Sequence, residues 1–311
     1  MHRSGTSAAA SIAGTLGATP PAHPLPPAWD NPSGYWESVG LVGVNDWILN
    51  QCGATWYDCL RFDSGVLNQR QRVMALTFIM VGVESEFGAG VLPLIKDPRL
   101  CLLLELWLPA LQALKLSPSV LLVLRHPHEV AASLAARNDL PTAVSLALWL
   151  RYMLDAELAT RGYPRHVLSY AALLRDWRRS MAIVGERATI AWPAHPDTLP
   201  DHAARWLDLS LRHHDSARPS SAADATPLAL WCEEVHGALH GIEHDRSITE
   251  HVERLDRVRS RFVSWCHTEG CKLAEEMLRG HPIWNVPMFI PPVEWYRIAD
   301  NLLDSGAFRA S

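Results

Sequence analysis

Residues 2–7, His2-Arg3-Ser4-Gly5-Thr6-Ser7, place a basic side chain, a glycine and hydroxyls directly ahead of a helical run, Ala8-Ala9-Ala10-Ser11-Ile12-Ala13-Gly14-Thr15-Leu16. That set suits an anion. The first N–H groups of a helix lack intrahelical partners, the helix dipole favours negative charge there, Gly5 lets the backbone approach closely, and the hydroxyls add donors. Read alone, the same residues also make an ordinary Ser/Thr N-cap. The G-x-x-x-x-G-K-[ST] spacing of a Walker A loop is absent. Two later segments agree with the anion reading. Leu94-Ile95-Lys96-Asp97-Pro98-Arg99 sets a basic residue at the end of an apolar run. Val120–Leu124 is aliphatic without alternation, the pattern of a strand buried on both faces. Arg125 then emerges at its carboxyl end, where open α/β sheets hold ligands. Pro127 suits a first helical position. Ser133 lies on that helix, placed to share a crevice with Arg125, and the pair suits a phosphate.

The elements that must carry these residues can be read coarsely. A Pro-rich loop covers 19–34. A helix runs from Glu37 to about Gln51, with Val39, Val42, Trp47 and Ile48 apolar, and 66–83 reads as helical. Gly88-Ala89-Gly90 leads into a short strand before Lys96. Leu100–Leu114 is apolar but broken by Glu105, Pro109 and Gln112; it reads as a buried helix, too short and interrupted to span a membrane. Pro141 starts a long helix bearing Val144, Leu148, Tyr152 and Leu158, and His166–Ser169 is a second strand. This strand–helix alternation predicts an α/β fold, a three-layer domain around a parallel sheet. Asp215–Pro227 reads as a linker or surface loop. It divides a domain over 1–214 from a helical C-terminal extension over 228–311, with a helical pair at about 228–240 and 246–280. Arg246–Arg261 carries mixed charge at helical spacing, the mark of a solvated face. The tail from Pro282 to Pro292 is apolar and proline-rich, expected to pack as irregular structure.

Taken in order, these segments resemble the PAPS-dependent sulfotransferases, in particular bacterial members with an H-R-S-G-T-S start. The resemblance runs from residue 1 to about residue 180. It includes Asn31-Pro32-Ser33-Gly34-Tyr35-Trp36-Glu37, the K-D-P-R run at 96–99, R-H-P-x-E-V-A-x-S-L from Arg125, Leu148-Trp149-Leu150-Arg151-Tyr152 and Val167–Leu174. It implies a P-loop-type domain that takes 3′-phosphoadenylyl sulfate (PAPS) as donor and needs no metal. Arg3, Ser4, Gly5, Thr6 and Ser7 would grip the 5′-phosphosulfate, and Arg125 with Ser133 the 3′-phosphate. The family has an apolar strand just before this loop, so a first strand upstream of Met1 is expected, without which the chain would be unstable or inactive.

Sulfuryl transfer asks a protein to align donor and acceptor, neutralise charge on the moving group and accept a proton. Arg3 and Lys96 are the candidates for charge neutralisation, and Glu37 for the general base. A carboxylate can serve there if burial raises its pKa. Glu37 also fits a first-turn glutamate favoured by the helix dipole, and both readings stand. His2, His126 and His128 are rival bases, the latter two with capping or surface roles at a helix start. Arg99 could serve the cofactor or pair structurally with Asp97, and the structural reading is the one preferred. His213-His214-Asp215 has no third metal ligand at suitable spacing, and Arg212 beside them is a further candidate for the nucleotide.

A chain of 311 residues with 48% hydrophobic and 20% charged residues can bury a sizeable core. A net charge of −5 argues against general nucleic-acid binding. Six cysteines form no C-x-x-C pair and no secretory signal leads the chain, so reduced thiols in a cytoplasmic protein are expected. The acceptor class stays open among carbohydrate, lipid, peptide and small natural product. Two other readings remain: a nucleotide-binding homologue without turnover, and a P-loop nucleotide kinase, for which the Walker lysine is missing.

Overall fold

The computed structural model describes residues 1–29, 31, 34–58, 60, 62–200, 226–245, 247–278 and 290–305. Arg212, the His213-His214-Asp215 triplet, most of the proposed linker and the tail up to 289 lie outside these residues. Helix α1 (Thr6–Thr15) is followed by α2 (Val39–Gln51), α3 (Gln69–Phe87) and α4 (Leu100–Ala113). Then come β1 (Val120–Leu124), α5 (Pro127–Asn138), α6 (Thr142–Ala159), β2 (Arg165–Ser169), α7 (Tyr170–Arg175) and α8 (Trp177–Arg187). The C-terminal part holds α9 (Pro227–His244), α10 (Thr249–Trp265), α11 (Cys271–Leu278) and α12 (Val293–Asp304), with a π turn at Cys266–Gly270 between α10 and α11.

The fold is mostly helical around a two-stranded parallel sheet. β1 pairs with β2 in the register Val120–Arg165 to Leu124–Ser169. Leu92–Lys96, expected as a further strand, runs extended and makes only an isolated parallel bridge, Thr19 with Pro93. The strands separate two apolar clusters. Leu122, Leu124 and Val167 join a large core with α2, α3, α4, α6, α9 and α10, while Val123 and Leu168 face a smaller one built from α1 and α8. Both faces are covered, which is why the strand residues are aliphatic without alternation.

Local chemistry sets the helix starts. Ser38 caps α2 by accepting from the Leu41 N–H, and Asn68 with Gln71 forms a capping box on α3. Pro127 is the first residue of α5 and Pro141 the N-cap of α6. Ser169, Asp176 and Thr226 cap α7, α8 and α9. No helix among the described residues is long and apolar enough to cross a membrane.

Two expectations need correction. Glu37 does not open α2: it precedes the N-cap Ser38, so the first-turn dipole reading does not apply to it. Arg246–Arg261 is not simply a solvated face. Leu255, Val258 and Phe262 of α10 are buried, and α10 also sends Asp256 and Arg259 into an ion-pair network with α6. Beyond Pro292, α12 sets its Trp295 and Tyr296 rings 6.0 and 5.0 Å from Phe78 on α3.

Candidate functional site

The loop before α1 is shaped by two left-handed residues, Arg3 at φ 63° and Gly5 at φ 88°. A Cβ on Gly5 would stand 2.3 Å from the Tyr170 ring. Glycine is therefore required twice over, by its dihedral and by the aromatic wall beside it. Ser4 is fully buried, and its hydroxyl makes no hydrogen bond among the described residues. Thr6 begins α1, and Gly5 caps it without a side chain.

Residues far apart in sequence meet around this turn. Arg3 donates from Nε to Ser133 Oγ at 2.9 Å, and Arg125 donates from Nη1 to the Arg3 carbonyl at 3.1 Å. Arg125 also pairs with Glu129 at 2.8 Å and stacks over Tyr170, its guanidinium carbon 5.2 Å from the ring centre. Trp149 steadies it from below by donating to the Arg125 carbonyl. β1 delivers Arg125 and α5 delivers Ser133 and Glu129, while β2 ends where Tyr170 begins.

On the other side of the turn, Ser7 is a hub. Its hydroxyl donates to the Tyr35 carbonyl at 3.4 Å and accepts from Asn31 Nδ2 at 3.2 Å and Lys96 Nζ at 3.3 Å. Lys96 also donates to the Tyr35 carbonyl at 2.8 Å and forms a close ion pair with Glu37. Glu37 is buried and Lys96 largely so. Burial pushes the Glu37 carboxyl up from its usual range, with Asp97 adding to this and Lys96 and Arg99 opposing it.

Arg99 turns away from the turn. It holds Asp46 through two nitrogens, at 2.6 and 3.2 Å, and Asp97 at 3.1 Å. Asp97 in turn accepts from Asn45, and Asn45 accepts from Trp107. This is the structural role read from the sequence, and it fixes the segment that presents Lys96.

The rival bases sit elsewhere or are silenced. The His2 ring packs 4.5 Å from Trp56, and burial, aided by nearby positive charge, drives its pKa well below the ordinary 6.5. It is a neutral packing residue at pH 7. His126 is the N-cap of α5 but makes no cap bond; its Nε2 lies 3.3 Å from Glu233 on α9, and His128 Nε2 lies 3.9 Å from the same carboxylate. Their role is contact with α9 rather than capping.

Tyr170, Asn31 and Glu129 belong to the site and were not among the residues singled out from the sequence. Tyr170 carried a usable signal, an aromatic directly after the second strand, at the same sheet end as Arg125. The assembled group is a helix N-terminus ringed by Arg3, Lys96 and Arg125, with Glu37 and Glu129 as counter-charges. It has the donors to hold an anion of the phosphate type. Compared with known protein families, with curated proteins and with solved structures, the chain matches none.

Proposed function

We propose that this cradle takes the phosphosulfate end of 3′-phosphoadenylyl sulfate and that the chain transfers its sulfuryl group to a hydroxyl or amine, as the sulfotransferases it resembles do. One observation carries the reading: Arg3, Lys96, Arg125 and Ser133, drawn from four separate segments, converge on the N-terminus of α1. The buried Ser4 hydroxyl, which has no hydrogen bond among the described residues, adds a donor that a phosphate oxygen would satisfy. The proposed fold is a three-layer P-loop-type domain. The two apolar clusters on opposite faces of β1 and β2 favour it.

In this reading Arg3 and Lys96 offset charge on the moving group. Lys96 exchanges its Glu37 partner for sulfuryl oxygens, which releases a carboxylate whose pKa burial raises, as a general base requires. Glu37 takes the acceptor proton as the bond from sulfur to the acceptor forms and the bond to the donor phosphate breaks. Arg125 and Ser133 hold the 3′-phosphate.

A second reading is nucleotide binding without turnover. It draws on the pairing of Lys96 with Glu37 and of Arg125 with Glu129, which leaves these cations already neutralised. Donor labelled at sulfur, offered with a panel of carbohydrate, lipid, peptide and small-molecule acceptors, separates the readings. Label appearing on an acceptor supports the transferase. Saturable donor binding without turnover supports the second reading. Transfer of phosphate from a nucleoside triphosphate, the kinase outcome, overturns both.

A further inference from the structure

The last turn of α9 carries His240, Glu243 and His244, which share one helix face at spacings of three and four residues. Their ligating atoms all lie within 4.8 Å of one another. His240 Nε2 and His244 Nε2 are 3.4 Å apart, and His244 Nε2 is 3.6 Å from Glu243 Oε2. Two imidazole nitrogens bound to one zinc ion at about 2.0–2.1 Å in a tetrahedral site stand about 3.3 Å apart. The spacing is that of a ligand pair.

Glu243 supplies an independent sign. Its side chain is only 4% exposed. Oε1 accepts from the Ser169 N–H at 2.8 Å, while Oε2 is buried with no hydrogen bond among the described residues. A buried carboxylate oxygen left without a hydrogen bond is costly unless a cation faces it. The bond from Ser169 also orients the carboxylate as a second shell orients a metal ligand. Arg187 reaches this turn too, but it donates to the Glu243 carbonyl at 2.9 Å.

We propose that His240, Glu243 and His244 form a site for a divalent transition-metal ion of the zinc type. The ligand set is two imidazoles and one carboxylate. Three protein ligands leave a coordination position for water, and the exposed histidines turn it toward solvent. This site is separate from the anion cradle. The end of β2 lies between them, where Ser169 meets Glu243 and Tyr170 meets Arg125, and the His236 ring bridges from His240 to His126 beside Arg125.

The test is a titration of the metal-stripped full chain with cobalt(II), followed by zinc competition. Saturation at one ion per chain is expected, with visible bands of a low-coordinate site that zinc abolishes. His240→Ala and His244→Ala should each weaken binding by roughly 100-fold or more, since losing even an outer-shell partner costs about 10–100-fold. Glu243→Gln keeps an oxygen for the Ser169 N–H and removes only the charged metal-facing oxygen, so it should weaken binding at least about tenfold. Undiminished binding by Glu243→Gln would reduce the site to chelation by an exposed histidine pair and overturn the proposal. So would binding that survives His240→Ala and His244→Ala but is lost in a His126→Gln/His128→Gln double variant. Absence of saturable binding to the intact chain overturns it outright.

Discussion

At the scale of single residues, the cradle is a set of exchanges in waiting. Lys96 gives its three donors to Ser7, the Tyr35 carbonyl and Glu37, so its charge is fully engaged before any ligand arrives. Glu37 is the residue whose replacement best tests the chemistry. Gln keeps its size and polarity but cannot take a proton. Near-normal donor binding with turnover reduced roughly 10²-fold or more is expected for Glu37→Gln, read from calorimetry and initial rates. Full activity in that variant would move the base elsewhere. Arg125 tests the other end. The 3′,5′-bisphosphate product should bind better than AMP by about 1.5–3 kcal/mol, and Arg125→Ala should erase most of that difference. Equal affinity of the native chain for the two nucleotides would sink the assignment. Gly5→Ala meets both a positive φ and the Tyr170 ring. It should lower donor affinity and melting temperature together, because the turn cannot keep its shape.

At the scale of elements, the C-terminal helices are held by charge as well as by apolar contact. Glu157 of α6 has a side chain only 1% exposed and pairs with Arg161 at 2.7 Å, Arg165 at 3.0 Å and Arg259 of α10 at 3.2 Å. Asp256 of α10 closes the group on Arg161 at 2.6 Å. Removing one partner of a buried ion pair leaves the others uncompensated. Glu157→Ala should therefore cost about 3–5 kcal/mol in denaturant unfolding, and a change near zero would show that solvent or Asp256 takes over. On α10, Glu253, Arg257 and Arg261 face solvent as their pattern suggests, while Arg259 joins the buried network. Alternating charge along a helix looks the same in sequence whether it meets water or a buried carboxylate on another helix.

At the scale of the whole molecule, stability should fall on mild acidification. His236 of α9 packs between His126 and His240. Burial, reinforced by the charges of those two neighbours and opposed by Glu129, lowers its pKa from 6.5 to about 4. The unfolded chain takes up this proton as pH falls through about 6.5, whereas the folded chain resists until about 4. Between these values the unfolded state binds more protons, so stability declines as pH drops. His236→Gln should flatten that acid limb. The check is the difference in melting temperature between about pH 7 and about pH 5, which should be smaller in the variant. An unchanged difference would place the acid sensitivity on other groups.

Several features were settled by sequence alone. A run of aliphatic residues from Val120 to Leu124 can only be satisfied by burial on both faces. Proline at 127 and 141 acts within one helical turn of itself, so the starts of α5 and α6 could be read from sequence, whereas the caps Ser38, Asn68 and Ser169, equally local, were missed and α2 was expected to begin at Glu37. The glycine and hydroxyls before α1 likewise belong to their own turn. The tertiary structure decided what depends on partners distant along the chain. It set Arg3 on Ser133, Lys96 on Glu37 and Tyr170 over Arg125. It turned Arg99 toward Asp46, buried His2 as a neutral ring and brought Glu243 to Ser169. Such pairings arise when packed elements bring together side chains far apart along the chain, 53 residues for Arg99 and Asp46 and 130 for Arg3 and Ser133, and no local periodicity records them.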